Sequence, residues 1–351
     1  MSYLREPLGG PAAIVFPVDD VSRVGEVRRA AEVMGLAAGL DNTENGALSI
    51  VVTEMATNLA RHATSGRVLL TTVGDLGARV VQVLAIDEGP GIGNVGAAMT
   101  DGFSSAGTAG KGLGAMSRMA HEFALYSRRG PENRAGTIAM ARMKSRGARA
   151  VRDDERSAAG VVCVPITGER DCGDSWSILR VSPDVTLLTV VDGLGHGLEA
   201  AEASTEALRV VRASPDQVPS DLINSTHAAL RSTRGAAMAI ARVDFGMRRV
   251  TFSGIGNISA SVHQANGASR GMSSHNGTVG HVMKKAQDFV YDWPAQGTMV
   301  LHSDGIHTHW RLDPYPGLNA YDPAILAALL FRDASRGRDD VTVVAFRELK
   351  S

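Results

Sequence analysis

Several short stretches of this chain place carboxylates and amides where chemistry could use them. Residues 190–197 read VVDGLGHG: an apolar run, one aspartate, then glycines at alternate positions. Val185 to Val191 has the β-branched make-up of a buried strand, so Asp192 is expected where that strand gives way to a tight loop. Two readings stand there. Asp-Gly after a strand is ordinary turn chemistry, and it is also a way to aim a ligand. Acids recur beside apolar strands in CGDSW (Asp174), VLHSDGIH (Asp304) and GRDDVTVV (Asp339 and Asp340). If those strands share one sandwich, their ends can converge. Hard divalent cations want several oxygen ligands from carboxylates, backbone carbonyls and water. Two such ions could deprotonate a water for attack on a phosphate ester.

The first half carries a different pattern. In LDNTENGALSIVVTEMATNLARHA, Asp41 and Glu44 have capping-box spacing, and Leu48, Val51, Val52, Met55 and Leu59 recur at helical spacing as a core stripe. Glu54 and Asn58, four apart, project from neighbouring turns of one face. An amide oxygen can ligate Mg²⁺ while a carboxylate serves as base; a solvated surface pair is the alternative. VQVLAIDEGPGIGN then ends a strand in Asp87, followed by Gly89, Gly91 and Gly93. In DGFSSAGTAGKGLGAMSRMA, Gly110, Gly112 and Gly114 alternate just before an amphipathic helix. Such glycines let backbone amides approach phosphate oxygens at a helix N-terminus, and Lys111 could add a point charge.

The elements that must position these residues fall into two halves. Before residue 143 the pattern predicts helices over 21–38, 44–62 and 113–121, and strands over 67–73, 79–86, 123–128 and 136–143. The stretch MKSRGARAVRDDERSAAG (143–160) is charged and small, and reads as a linker. Beyond it come VVCVPI from Val161, the strand into Asp192, helices near 198–212 and 220–231, more strands to about 302, a short helix near 323–331 and a last strand, VTVVAF. Strands neighbour strands with helices inserted in blocks, so both halves read as α+β.

Composition narrows the partners. Lys plus Arg (36) nearly cancels Asp plus Glu (37), which points away from nucleic acid and anionic membrane. No apolar run approaches a membrane span, and MSYLREPLGG lacks the layout of a secretory signal, so a cytoplasmic location is expected. Cys163 and Cys172 show no metal-ligand spacing and are expected as reduced thiols. His302, His307 and His309 do not have zinc spacing with a matching second pair.

The order of motifs in the first half resembles the GHKL ATPase/kinase family, in its anti-sigma-factor and switch-kinase branch. TEMATNLARHA is similar to that family's N box, DEGPGIGN to its first glycine box, and DGFSSAGTAGKGLGAMSRMAHEFALYS to its lid, second glycine box and the following helix and strand. The resemblance covers about residues 12–143. It implies a Bergerat α/β sandwich binding ATP and Mg²⁺. By position, Asn58 holds Mg²⁺, Asp87 bonds the adenine amino group, and Gly89, Gly91 and Gly93 shape the base pocket. Gly110, Gly112, Leu113 and Gly114 cover the phosphates, Lys111 among them has no matching position in the motif, and Glu54 is the base for the substrate hydroxyl.

The second half, over about 158–347, resembles the metal-dependent PPM serine/threonine phosphatases in their compact SpoIIE-like branch. It does so through CGDSW, VVDGLGHG, RGAAMAIARVDFGMRRVTFSGIGNISA, LHSDGI and RDDVTVV. By position, Asp174, Asp192, the carbonyl of Gly193, Asp304 and Asp339 are the ligands of two Mn²⁺ or Mg²⁺ ions, with Asp192 bridging. Asp340 occupies the position adjacent to Asp339. Oxygen-rich sites accept both ions. The phosphate-gripping arginine of larger members has no matching position.

Together these resemblances imply an α+β chain. Residues 1–145 form a GHKL domain, 146–157 a linker, and 158–351 a PPM-type β-sandwich flanked by helices. The implied activity is a protein-serine/threonine kinase fused to an opposing phosphatase. The implied substrate is a STAS-domain partner-switching phosphoprotein in a stress or sigma-factor pathway, and a homodimer is compatible with it. The alternative is a phosphatase controlled by a GHKL module that binds nucleotide and partner without kinase chemistry.

Overall fold

The computed structural model describes residues 10–74, 79–99, 112–130, 135–145, 157–315 and 317–349. The chain divides into two compact units. One is built from Ala13–Asp153 together with Pro314–Asp333, the other chiefly from Asp154–Asp313 and Ala334–Ser351.

In the N-terminal unit the elements are β1 (Ile14–Pro17), α1 (Val24–Ala37), α2 (Asn42–His62), β2 (Arg67–Val73), β3 (Val80–Ile86), α3 (Val95–Ala98), α4 (Gly112–Met119), β4 (Glu122–Arg128) and β5 (Gly136–Lys144). The strands form one antiparallel sheet in the order β1-β2-β3-β5-β4. Asp41 and Glu44 close the expected capping box: Glu44 N–H donates to Asp41 Oδ1 (2.7 Å) and Asp41 N–H to Glu44 Oε2 (2.9 Å). The stripe Leu48, Val51, Val52, Met55 and Leu59 is buried against Val68 and Leu70 of β2 and Val81, Val83 and Ala85 of β3. Elements β1 and α3 carry no periodic signal in the sequence. Four half-exposed residues ending in proline carry no alternation, and α3 is a single turn capped by Asn94 inside a glycine loop.

The C-terminal unit contributes β6 (Ser157–Val164), β7 (Asp174–Arg180), β8 (Val185–Gly193), α5 (Leu198–Ala213), α6 (Pro219–Ala229), β9 (Ala236–Asp244), β10 (Arg249–Ile255), β11 (Ser259–His263), β12 (Ser269–Met272), β13 (Phe289–Asp292) and β14 (Thr298–His302). After α7 (Pro323–Ala334) comes β15 (Val341–Glu348). Two five-stranded sheets, β13-β10-β9-β8-β7 and β12-β11-β14-β15-β6, make a sandwich. Phe346 of β15 meets Phe245 (6.0 Å) and Trp293 (6.2 Å), which lie at the ends of β9 and β13. Helices α5 and α6 cover the first sheet, packing Ala207, Leu208, Val211, Leu222 and Ile223 on Leu187, Met238 and Ile240.

The compact units depart from the linear division at 146–157 most plainly late in the chain. Residues Pro314–Asp333, with nearly all of α7, belong with the N-terminal sheet. Strands β2 and β3 are buried on both faces, as their near-continuous apolar runs require. The inserted segment meets the face away from α2. There Tyr321 lies edge-on to Tyr126 (5.1 Å), Asp322 takes two bonds from the Arg142 guanidinium (2.9 and 3.1 Å), and Phe331 lies under Arg67. Arg332 donates to the main-chain oxygen of Asp87 (3.0 Å).

Candidate metal and nucleotide sites

The carboxylates at the strand ends gather through the sheet register. Asp174 opens β7 and Asp192 lies at the end of β8, and the two are direct antiparallel partners. Side chains of directly opposed residues stand on the same face. The neighbouring Gly193 donates its N–H to Gly173 O (3.0 Å) and lies so close to the Ala200 carbonyl that any Cβ would collide with it. That position therefore has to be glycine. From the other sheet, β14 ends one residue before Ser303–Asp304, and Gly305 lies against the main-chain oxygen of Asp340. The turns bearing Asp304 and Asp339 are thus adjacent.

The electrostatics of this cluster are those of crowded negative charge. Asp174 is 3% exposed and lies beside the Ser303 and Thr342 hydroxyls. Burial pushes its carboxyl up to about 7 and the charges of Asp340 and Asp339 add to the rise, while hydrogen bonding from Ser303 and Thr342 works against it. Asp192 is pushed up to about 9, by burial first and then by the charges of Asp174, Asp304, Asp339 and Asp340. Burial also raises Asp339 and Asp340. Buried carboxylates crowded together are costly unless a cation pairs with them. An all-oxygen donor set of this kind fits Mg²⁺ or Mn²⁺. Among the described residues, no three His, Cys, Asp or Glu side chains close on one point tightly enough to hold an ion as they stand. Mg²⁺ characteristically takes one or two carboxylates and keeps several waters, so a looser gathering matches it.

Adjacent acids separate by their bonds. Both oxygens of Asp340 are taken by backbone amides, from Ile166 (2.7 Å) and Gly173 (2.8 Å), and the residue is 3% exposed. Asp339 accepts one amide, from Asp340 (2.9 Å), and is half-buried. Asp340 therefore straps the loop before β7 to the start of β15, and Asp339 keeps an oxygen for a ligand. Asn257, absent from the sequence-derived set, donates its Nδ2 to Asp304 Oδ2 (2.6 Å) and fixes that carboxylate. A Gly-Asn turn between β10 and β11 was its only signal. His302 uses both ring nitrogens, Nδ1 donating to Ser303 O (2.8 Å) and Nε2 accepting from Trp310 Nε1 (3.1 Å), which leaves none for a metal.

In the N-terminal unit, Glu54 and Asn58 stand half-buried on α2. The Glu54 carboxylate faces the start of α4: a Cβ on Gly112 would lie 3.2 Å from Glu54 Oε2. Glu54 and the glycine turn are therefore brought together, with Leu113 and Gly114 following in α4. Gly110 and Lys111 lie outside the described residues. Asp87 leaves β3, accepts the Gly89 N–H (2.7 Å) on Oδ1, and has its carboxyl raised by burial. Gly91 (φ +73°) passes so close to the Arg128 carbonyl that a Cβ has no room, and Ile92 N–H donates to Ser127 Oγ (2.7 Å). Gly93 rests on the Arg129 guanidinium. The Asp87–Gly93 turn is thus pinned to β4.

Two family models match the chain: the histidine kinase-like ATPase domain over residues 17–142, and stage II sporulation protein E (SpoIIE) over 182–348. The first half belongs to the histidine kinase-like ATPase family, and the second half carries the SpoIIE match. The serine/threonine-protein kinase RsbT of Bacillus subtilis (strain 168) is 33% identical over 89 residues, covering 25% of this chain and 67% of RsbT. The phosphoserine phosphatase RsbX of the same organism is 24% identical over 140 residues, covering 40% of this chain and 70% of RsbX. A solved structure from work on the bacterial stressosome, as a modular system adapted to control secondary messenger signalling, is 28% identical with a TM-score of 0.51. It covers 55% of this chain and 100% of its own. The fusion of a kinase-like ATPase fold to a PPM phosphatase fold agrees with the motif order. Among the described residues no helix is long and apolar enough to cross a membrane.

Proposed function

We propose that the chain is a bifunctional protein-serine/threonine kinase and metal-dependent protein-serine/threonine phosphatase. Its substrate on this reading is a serine or threonine of a STAS-domain partner-switching protein. The observation that carries the phosphatase half is the crowded carboxylate cluster around Asp192. Asp174, Asp192, the Gly193 carbonyl, Asp304 and Asp339 would hold two divalent ions. Bound there, Mg²⁺ or Mn²⁺ supplies charge for a phosphate ester and acidity for water. The protein's own part is positioning: Asn257 orients Asp304, and Asp340 holds the two loops that carry Asp174 and Asp339.

In the kinase half, Asn58 would hold Mg²⁺ and Asp87 the adenine amino group, with amides at Gly112–Gly114 near the phosphates. Glu54 would take the proton of the acceptor hydroxyl, a role that its place beside Gly112 supports over that of a solvated surface acid. A phosphate added or removed changes the acceptor's charge by nearly two units, enough to make or break an interface.

Intact-mass spectrometry of a STAS protein from the same organism tests the reading. With Mg-ATP, Asp192→Asn should add a phosphate that the double variant Asp192→Asn with Glu54→Gln fails to add. Asn58→Ala with Mn²⁺ should remove it. Removal of a preinstalled phosphate without any gain would refute the kinase half, and gain without removal the phosphatase half.

A further inference from the structure

The chain has two cysteines, and they touch. Cys163 on β6 and Cys172 in the loop before β7 have their sulfurs 3.7 Å apart, in surroundings that leave them 5% and 8% exposed. A buried cysteine on its own is a small apolar core residue. What sets this pair apart is its neighbourhood. Cys163 Sγ lies 3.8 Å from the main-chain oxygen of Asp174. Gly173, next to Cys172, donates to Asp340 and accepts from Gly193 (3.0 Å). Within two residues of Cys172, then, lie the bonds that place Asp174, Gly193 and Asp340.

We infer that Cys163 and Cys172 form a modification site for hydroperoxides, closing to a disulfide that lowers phosphatase activity by displacing the turn that carries Asp174. Its hydrogen bond to Cys163 and its burial push the Cys172 thiol up, so Cys172 is the resolving partner. The Cys163 sulfur attacks the peroxide: an S–O bond forms, the O–O bond breaks, and the departing oxygen leaves with the Cys163 proton as water or an alcohol. The second sulfur then attacks the resulting sulfenic acid. The S–S bond forms, the S–O bond breaks, and hydroxide leaves with the second thiol's proton as water. Two electrons and two protons pass to the peroxide, and no further reactant is needed.

Closure is mechanical as well as chemical. A disulfide requires an S–S separation of about 2.05 Å, so the sulfurs must approach by about 1.7 Å from their present 3.7 Å. Cys163 is held in the β6–β15 ladder opposite Thr342, whereas Cys172 belongs to the loop between Val164 and Asp174. The loop side therefore moves, and Gly173 and Asp174 move with it. Cytoplasmic disulfides, where they occur, are mostly transient and redox-sensing. Displacing groups that orient metal ligands costs about tenfold or more in metal affinity or activity.

The effect on catalysis rests on the phosphatase reading; the sulfur chemistry does not. The test uses the full reduced chain exposed to hydrogen peroxide and then to dithiothreitol. Intact mass and thiol count after denaturation are followed beside Mn²⁺-dependent hydrolysis of p-nitrophenyl phosphate. The expected result is loss of two hydrogens' mass and of both thiols, with turnover falling by about tenfold and recovering on reduction. Cys163→Ala and Cys172→Ala should each keep basal turnover and lose this reversible inhibition. Two free thiols after peroxide would overturn the site, and a disulfide without change in turnover would overturn its regulatory role. No turnover before oxidation would count against the phosphatase reading alone, with the mass still deciding the thiol chemistry.

Discussion

Metal-free protein should lose stability in its C-terminal unit as the pH rises from about 7 to about 8, and divalent ions should remove that loss. In the unfolded chain Asp192 ionises near 3.9, whereas the fold raises it to about 9. Between those values the unfolded chain has released a proton that the folded chain keeps, so stability falls as pH rises, by about 1.4 kcal/mol per unit. Asp192 dominates this window. His263, held by burial at about 4, and His302, also lowered by burial, contribute an opposite slope that ends near 6.5, where unfolded histidine itself becomes neutral. Asp174, at about 7, is half titrated where the window opens and adds a smaller part of the same slope. For a unit of this size about 1.4 kcal/mol corresponds to a drop of about 3–6 °C in melting midpoint. All three tryptophans, Trp176, Trp293 and Trp310, lie in the C-terminal unit, so indole fluorescence reports its melting directly. In a chelator the wild type should show this drop and Asp192→Asn should show much less. With excess Mg²⁺ or Mn²⁺ the wild-type curve should flatten, because the ions hold the carboxylates ionised. A chelated midpoint that stays level or rises from pH 7 to 8, or a fall that Mg²⁺ leaves unchanged, would refute the reading of Asp192 as the centre of a crowded acidic cluster.

Three further outcomes follow from particular contacts. Asp340→Ala removes the acceptor of two backbone amides and should cost about 3 kcal/mol in the fluorescence melt, whereas Asp339→Ala should cost less than about 1 kcal/mol yet forfeit more of the stabilisation by Mn²⁺. Gly91→Ala meets both a positive φ and the Arg128 carbonyl. It should lower the stability of the N-terminal unit by more than about 1 kcal/mol in circular-dichroism melts and weaken ATP binding by calorimetry. A fragment ending at residue 145 lacks Pro314–Asp333 and uncovers the sheet face holding Leu69, Leu84, Ile86, Ile138 and Met140. It should aggregate on size-exclusion chromatography, and a stable monomer would contradict the placement of that segment.

The local features of this chain were legible because each has its own signal. Helical spacing marked the buried stripe of α2, the Asp41–Glu44 pair marked its start, and β-branched runs marked β2, β3 and β8. Four acids at strand ends announced a cluster, but not how neighbouring acids divide the labour. Asp339 and Asp340 differ by one position just before β15. Which of them meets backbone amides depends on where Ile166 and Gly173 lie in space, more than 160 residues away in the chain. Asn257 was hidden for the same reason: its partner, Asp304, belongs to a different strand end.

The segment Pro314–Asp333 shows where such reading stops. PAILAALLFRDA is apolar on every side, and a helix of that kind reveals that it is buried but not against what. Because it falls between Asp304 and Asp339, the linear order assigns it to the C-terminal unit. The clue lay instead in charges that a buried face should not carry unpaired. Arg142 interrupts the apolar run of β5, and Asp322 and Arg332 bracket an apolar helix. Each needs a partner, since a buried ion without one is strongly destabilising. Arg142 finds Gln82, Glu122 and Asp322, and Arg332 finds Asp333 and the Asp87 carbonyl. A sequence states that such a charge must be matched; only the fold selects, among many acids and carbonyls, the ones that match it. The chain between two proposed metal ligands therefore passes through the compact unit that carries the proposed adenine-binding aspartate.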